Sequence, residues 1–314
     1  YADRICIRTE ENNYTYNQVE GMVKCLAAKI RENGYKPGDY IAVHMGKGVE
    51  QIISILAVIY AGAVYVPIEF TMPEISVCRC LNKIDVKLML TCDDKKEYFE
   101  DDGFRCIVPK DEELDEKSVF EAVDTEEDSL IAIIHTSGST GIPKAVMVGQ
   151  KGLLNSIIYT NKRFAVKEYD VAIALTNAAH DMSMYDIFGM IYAGGSMSVP
   201  MEKYAKDPEE WLRLIKKHKV TIWNSVPAMP EMILELGTEL NSTDLESLRL
   251  MILGGDYLKV EIAKKLKDLN INLKLVNVGG PTETTLWNIM HEVSEKDFEN
   301  GIPYGKPIAN TKYY

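Results

Sequence analysis

Leu130 to His135 reads Leu-Ile-Ala-Ile-Ile-His, apolar on consecutive positions rather than on alternate ones. A strand of that kind is buried on both faces, the condition of a parallel sheet covered by helices. The rest of the chain supplies the covers. From Asn17 to Asn33 the apolar residues Val19, Met22, Val23, Leu26, Ala27 and Ile30 form a helical stripe that stops at Gly34. Pro37-Gly38-Asp39 then turns the chain into a strand over Tyr40 to His44. Gly48 to Ala61 predicts a helix ended by Gly62, and Ala63 to Ile68 a strand. Val86 to Leu90 and Arg105 to Val108 read as short strands, and acid-rich Asp111 to Asp128 as a surface connector. Ala145 to Val148 reads as a partner strand, Gly152 to Phe164 as a helix and Val171 to Leu175 as a strand. Asp207-Pro208 carries a capping carboxylate and a proline for the first turn of the next helix. Val220 to Trp223 (strand) and Met229 to Leu236 (helix) lead to a βαβ-like unit made of Leu250 to Leu253, Val260 to Leu269 and Leu273 to Val278. Strands alternating with helices in this way predict an α/β protein with largely parallel sheets.

Charge narrows the function. The 35 basic and 47 acidic residues leave a net charge of −12, without the basic face that a general nucleic-acid binder needs. A single anionic ligand is still admissible, because local groups set a pocket's potential. No apolar run reaches the ~18 residues that span a bilayer. The six cysteines match no zinc or redox spacing. Cys6 and Cys25 lie among apolar neighbours and read as core thiols, and Cys78 and Cys80 share a helix or strand face. A reduced, cytoplasmic setting fits that usage.

The candidate chemistry follows the buried strand. Thr136-Ser137-Gly138-Ser139-Thr140-Gly141-Ile142-Pro143-Lys144 holds four hydroxyls, two glycines and a lysine. Glycines let backbone N–H groups approach a polyanion, hydroxyls add neutral donors, and Lys144 adds positive charge. This is phosphate-handling chemistry, without the spacing of a Walker A loop. A generic Ser/Gly stretch would be no more than a flexible turn, but the whole string resembles the phosphate loop of the adenylate-forming superfamily.

Further motifs extend that resemblance from about Tyr14 to Pro307. Tyr14-Thr15-Tyr16-Asn17-Gln18-Val19 is similar to the first core motif, and Tyr60 to Ile68 to the second. His180-Asp181-Met182-Ser183 resembles the fourth, and Asn277-Val278-Gly279-Gly280-Pro281-Thr282-Glu283 the fifth; Tyr304-Gly305-Lys306-Pro307 matches the segment that follows. The string from Asp181 to Gly189 resembles amino-acid adenylation domains of non-ribosomal peptide synthetases more than acyl-CoA synthetases. The implied fold is the large N-terminal domain of an adenylate-forming enzyme, with two mixed or parallel sheets flanked by helices in layers. Residues 1–314 would be an incomplete large domain of several subdomains. The small C-terminal lid domain, with the family's catalytic lysine, would lie beyond Tyr314.

The implied reaction joins an amino-acid carboxylate to the α-phosphate of ATP and releases pyrophosphate, by positioning and charge neutralisation. By resemblance, Thr136, Ser137, Gly138, Ser139, Thr140, Gly141 and Lys144 hold the β- and γ-phosphates. Thr282 approaches the α-phosphate and Glu283 helps hold Mg²⁺. A glutamate in a turn is otherwise usually solvated, so that role rests on the resemblance. Gly254, Gly255 and Asp256, with Asn277, Val278 and Gly279, form the adenine side. Asp181 pairs with the substrate's α-ammonium, which would compensate a carboxylate in a pocket wall. On its residues alone, Asp181 also fits a cap for a helix over Met182 to Ala193. Asp181, Met182, Tyr185, Asn224, Ile252, Gly254, Val278, Leu286 and Trp287 would form the side-chain pocket. Bulky Tyr185 and Trp287, with Asn224 and no second charge, imply a small neutral amino acid: cysteine first, then alanine, glycine or serine. The resemblance also implies neighbouring synthetase domains and a carrier domain whose phosphopantetheine thiol takes the product.

The match breaks in places. Gly279 stands where a tyrosine commonly stacks on adenine, Ala145 where the loop continues with glycine, and Gly149-Gln150 where an acidic residue and a histidine are common. Two other readings stay open: an acyl- or aryl-CoA synthetase-type ligase, and a non-catalytic nucleotide-binding module.

Overall fold

The computed structural model describes residues 1–110, 120–136, 143–237 and 240–314. Strands β1 (Ile5–Arg8) and β2 (Asn13–Thr15) open the chain, and α1 (Tyr16–Glu32) follows. Its first turn is closed by Thr15, whose Oγ1 accepts from Gln18 N at 3.2 Å while Gln18 Oε1 accepts from Thr15 N at 2.9 Å. This reciprocal cap gives the first motif a local structural reason.

The chain divides into two compact units, the first made of Tyr1–Ile5, Tyr14–Gly152 and Asn177–His180. Its elements after α1 are β3 (Tyr40–His44), α2 (Val49–Tyr60), β4 (Val64–Pro67), α3 (Glu74–Lys83), β5 (Leu88–Thr91), α4 (Asp93–Asp101), β6 (Arg105–Ile107), β7 (Leu130–Thr136) and β8 (Lys144–Gly149). They form a sheet in the order β6-β5-β3-β4-β7-β8, parallel except for the antiparallel pair β7–β8. α2 ends at Gly62, whose φ of +76° carries the chain into β4. The second motif is that helix-to-strand joint. The core gathers Val64, Val66, Val77, Leu81, Met89, Phe99 and Ile133.

The second unit is Cys6–Asn13, Leu153–Thr176 and Asp181–Tyr314. Helix α5 (Gln150–Arg163) runs into it and is followed by β9 (Val171–Ile173), α6 (Met190–Ala193), β10 (Ser196–Ser198), α7 (Pro208–His218), β11 (Ile222–Ser225) and α8 (Ala228–Leu234). β12 (Leu250–Gly254), α9 (Val260–Leu269), β13 (Lys274–Gly279), β14 (Ile289–Glu292), α10 (Asp297–Asn300) and β15 (Lys306–Pro307) complete it. The sheet runs β15-β14-β13-β12-β11-β9-β10-β1-β2, parallel from β13 to β1, with β14 and β15 antiparallel at one edge. α7 starts as its sequence predicts: Asp207 Oδ1 accepts from Glu209 N at 3.0 Å and Glu210 N at 3.3 Å. Trp211 and Trp223 meet edge to face in the core at 5.9 Å.

One polar network joins the amino ends of three adjacent strands. Asp170, Thr221 and Arg249 immediately precede β9, β11 and β12. The buried Asp170 carboxylate accepts from Arg249 Nε at 2.8 Å and Nη2 at 2.6 Å, and from Thr221 Oγ1 at 2.7 Å. Arg249 also donates to the Phe164 carbonyl at 2.9 Å. A fully buried carboxylate is tolerated because this guanidinium and hydroxyl saturate it.

The sheets agree with the α/β reading, with some corrections. α3 and α4 were not among the expected helices; α4 buries only Phe99, so it carries no apolar stripe to read. β1, β10, β14 and β15 are short and escape periodicity. Cys6 is buried, but Cys25 is half-buried on α1 and is no core thiol. None of the cysteines is in a disulfide. Among the described residues no helix is long and apolar enough to cross a membrane.

Two buried histidines make stability pH-dependent. Burial, then nearby Lys95, lowers His44 to about 4; it packs against Phe70 and Phe99. Burial, then Lys217, lowers His218 to about 4; its Nδ1 lies 2.7 Å from Ser198 Oγ. Both stay neutral in the fold while the unfolded chain protonates near 6.5. Their stabilisation is therefore fully present above ~6.5 and is lost as pH falls toward about 4. Urea unfolding at pH 7.5 and pH 5 should show a loss of ~1–2 kcal/mol per histidine, and His44→Phe should remove one share of it.

Candidate active site

In an open α/β sheet, ligands sit beyond the carboxyl ends of the parallel strands. Here β11, β12 and β13 end side by side, with Asn224 opposite Ile252 and Gly254 opposite Val278. Gly254 is required by that closeness. A Cβ there would lie 2.6 Å from Val278 Cγ2 and 2.8 Å from the Val278 carbonyl. The next residue, Gly255, is exposed and faces Val226 and the Met182 thioether, 3.8 Å from where its own Cβ would stand. Asp256 is exposed too, and its Oδ1 accepts from Tyr257 N at 2.7 Å.

Three of the expected side-chain pocket residues, Met182, Tyr185 and Asn224, connect through one carbonyl. Met182 O accepts from Asn224 Nδ2 at 2.8 Å and from Tyr185 N at 3.1 Å. Asn224 Nδ2 also donates to Asp186 Oδ1 at 3.0 Å. Two acceptors on one nitrogen fix the amide's orientation, so its oxygen points the other way. That oxygen is buried and has no hydrogen-bond donor among the described residues. A buried acceptor left so costs about 1–3 kcal/mol until something donates to it.

Tyr185 and Trp287 are the bulky members of the expected set. Their rings lie 5.0 Å apart, and both side chains are fully buried. Tyr185 Oη donates to Asn161 Oδ1 at 2.9 Å, and Asn161 Nδ2 donates to the Gly189 carbonyl at 2.8 Å. Trp287 Nε1 donates to Thr160 Oγ1 at 3.0 Å, and Ser156 Oγ donates to the Trp287 carbonyl at 3.0 Å. Each ring is thus tied through its polar atom, and the Trp287 backbone is tied as well. Burial also pushes the Tyr185 phenol well above its ordinary range, so it stays a neutral donor.

Backbone geometry marks the same region. Residues Tyr185–Gly189 form a π-helical turn within the helical run that ends in α6. Such turns are frequent at functional sites. Thr285 and Leu286 have φ of +68° and +58°, a strained choice for β-branched and bulky residues. Each such residue costs ~1–3 kcal/mol and persists where its surroundings over-determine it. Leu286 is buried, Ile252 and Val278 are buried strand residues, and Asp181 is half-buried at the head of the turn.

Asn277 Nδ2 donates to the Pro303 carbonyl at 2.9 Å, so the fifth motif holds the segment after it. Thr282 is half-buried and Glu283 exposed on the short turn Thr282–Thr284. Among the described residues no three His, Cys, Asp or Glu side chains converge. Mg²⁺ needs no such cluster, since it takes one or two carboxylates with substrate phosphates and water. Glu283 is that kind of exposed carboxylate.

In the other unit, Thr136 ends β7 and pairs with Lys144 at the start of β8. Ser137, Gly138, Ser139, Thr140 and Gly141 lie outside the described residues. Sequence reasoning missed Asp186, Asn161, Thr160 and Ser156. The one available signal was three polar residues, Ser156, Thr160 and Asn161, at helical spacing on the buried face of α5.

Comparison with known proteins gives the chain's family and fold. The family model described as AMP-binding enzyme matches residues 1–314. The chain is 31% identical over 304 residues to the anguibactin system regulator of Vibrio anguillarum, covering 96% of this chain and 29% of that protein. It is 32% identical over 309 residues to phenyloxazoline synthase MbtB of Mycobacterium sp. (strain MCS), covering 94% of this chain and 25% of that one. The crystal structure of the nonribosomal peptide synthetase FmoA3 bound to alpha-methyl-L-serine-AMP matches with a TM-score of 0.89 at 29% identity. That match covers 98% of this chain and 35% of FmoA3, which is also solved with AMPPNP bound. The chain thus spans 25–35% of the length of these relatives.

The held ring of Tyr185 sets a stability test. A Cβ at Gly189 would lie 2.9 Å from two atoms of that ring. Because the phenol is tied to Asn161, the ring has nowhere to retreat. Gly189→Ala should cost ~1–3 kcal/mol in urea unfolding. A variant as stable as the parent would show that the ring is free to move.

Proposed function

The chain belongs to the AMP-binding enzyme family, and we propose that it activates a small neutral amino acid as its aminoacyl-adenylate. A carboxylate oxygen of the substrate attacks the α-phosphorus of ATP. The new C–O–P anhydride forms as the bond to the β-phosphate oxygen breaks, and pyrophosphate leaves with the electron pair. No proton has to move and no covalent enzyme intermediate is needed, so positioning and charge neutralisation carry the catalysis.

The roles proposed for individual residues follow that chemistry. Thr136, Ser137, Gly138, Ser139, Thr140, Gly141 and Lys144 would cradle the β- and γ-phosphates. Thr282 would donate toward the α-phosphate, and Glu283 would help hold Mg²⁺, which neutralises phosphate charge when bound. Gly254 to Asp256 and Asn277 to Gly279 would border the adenine. Asp181 would meet the α-ammonium of the amino acid. In a longer synthetase the adenylate would pass to the phosphopantetheine thiol of a carrier domain.

Asn224 carries the reading of the side chain. Its buried oxygen, aimed away from Met182 and Asp186, has no donor among the described residues. A substrate with one small donor group, the thiol of cysteine or the hydroxyl of serine, satisfies it. The immobilised rings of Tyr185 and Trp287 fill the volume a larger side chain would need. Binding of alpha-methyl-L-serine-AMP by FmoA3 supports a small amino acid. The motif resemblance favours cysteine, ahead of alanine, glycine and serine, and the Asn224 acceptor by itself fits either donor-bearing side chain.

The test is calorimetric binding of non-hydrolysable adenylate analogues, which requires no turnover. The cysteinyl analogue should bind more tightly than its 2-aminobutyryl counterpart by about 2- to 10-fold, the worth of one neutral hydrogen bond. The 3-mercaptopropionyl analogue, lacking the ammonium, should lose at least ~10-fold because Asp181 loses its counter-charge. Tighter binding of benzoyl or fatty-acyl analogues than of any aminoacyl one would overturn the proposal.

A further inference from the structure

Gly279 closes β13, and the space beside it is taken. A Cβ at this position would fall inside contact distance of the Tyr304 ring, 2.8 Å from its hydroxyl oxygen and closer still to Cζ and Cε1. The glycine and the tyrosine are therefore one fitted pair: the ring lies where the side chain of residue 279 would begin. Yet Tyr304 is 61% exposed, so the ring covers the glycine and leaves much of its surface to solvent.

A large exposed aromatic is ordinarily free to turn, but the backbone carrying this one is fixed on both sides. The Pro303 carbonyl accepts from Asn277 Nδ2 at 2.9 Å. Gly305, at φ +113°, presses so closely on the Met290 carbonyl group and His291 N that no Cβ fits. Lys306 and Pro307 then pair with Met290 and Ile289 of β14. The anchors on the sheet side are Asn277 and β14, next to Gly279 itself, which pairs with Ile289. The fold thus holds an aromatic ring at the carboxyl end of a parallel strand, where ligands of such sheets bind.

We propose that Tyr304 is the stacking platform for the adenine base, supplied from the segment after β13 because residue 279 carries no side chain. This rests on the nucleotide-binding reading of the preceding subsection and assigns the base contact to a residue outside the fifth motif, in the segment that follows it. Stacking needs only the ring face, so it tolerates an exposed hydroxyl.

The experiment measures binding of three probes: ATP with Mg²⁺, AMP, and inorganic tripolyphosphate, which has no base. Tyr304→Ala should weaken ATP and AMP by about 5- to 150-fold, the range of one base–aromatic stack, and leave tripolyphosphate unchanged. Its ligand-free melting temperature should not move, as befits an exposed side chain. Tyr304→Phe should bind like the parent. The exchange Gly279→Tyr with Tyr304→Gly, which moves the ring back to the strand end, should recover binding. In the parent and in Tyr304→Phe, but not in Tyr304→Ala, the adenine H2 and H8 resonances should shift upfield. Parent-like AMP affinity in Tyr304→Ala overturns this assignment alone. If the parent protein binds neither ATP nor AMP, the nucleotide-binding reading falls, and this assignment with it.

Discussion

The ladder β9–β11–β12–β13 is buried on both faces along nearly its whole length, so its residues are set by packing and have little freedom to respond to a ligand. Chemistry is confined to the strand ends, and the two ends are treated differently. At the amino ends Asp170, Thr221 and Arg249 saturate one another and cap the Phe164 carbonyl. At the carboxyl ends the polar atoms are not all satisfied. Glycines stand at the last positions of β12 and β13, and a buried amide oxygen on β11 lacks a donor among the described residues. A tightly closed network at one end can hold the strands in register while the other end stays open to a ligand.

Asn224 shows how one residue divides that work. Its nitrogen is structural, joining β11 to the Met182 carbonyl and to Asp186, and its oxygen has no donor among the described residues. The same carbonyl also receives Tyr185 N, which begins the π turn. A change at Asn224 would therefore disturb the turn as well as the acceptor. Ligand series report on the oxygen more cleanly than substitutions do, because neighbours that share a partner do not behave additively.

How much of this was legible in the sequence depends on range. Elements set by local rules were readable: Tyr40–His44 and Val260–Leu269 appear at the bounds their periodicity predicts, and Asp207-Pro208 starts its helix as capping chemistry requires. Helix α4, whose only buried residue is Phe99, had no stripe to read. The motif strings named candidate positions but could not say how side chains were used. Asn224 was nameable by resemblance, one position past the strand expected over Val220 to Trp223, whereas the direction of its amide depends on Met182 and Asp186, about forty residues away. Asp186 looked like one more residue of a helix until its partner on β11 was visible.

Gly279 is the sharpest case of that limit. In the sequence it is a missing side chain, a local fact with a negative meaning. The ring that makes it intelligible belongs to Tyr304 and reaches it only because Asn277 holds Pro303 and because Gly305 lets the chain press against β14. The motif strings contain both Asn277 and Gly305, but nothing in those strings marks either one as an anchor for Tyr304. Their joint effect is to make a bulky residue at 279 and a bulky residue at 304 mutually exclusive. A motif scored position by position records the first as a loss. Close packing in three dimensions makes the same observation an exchange, in which the space given up at one position is occupied from another.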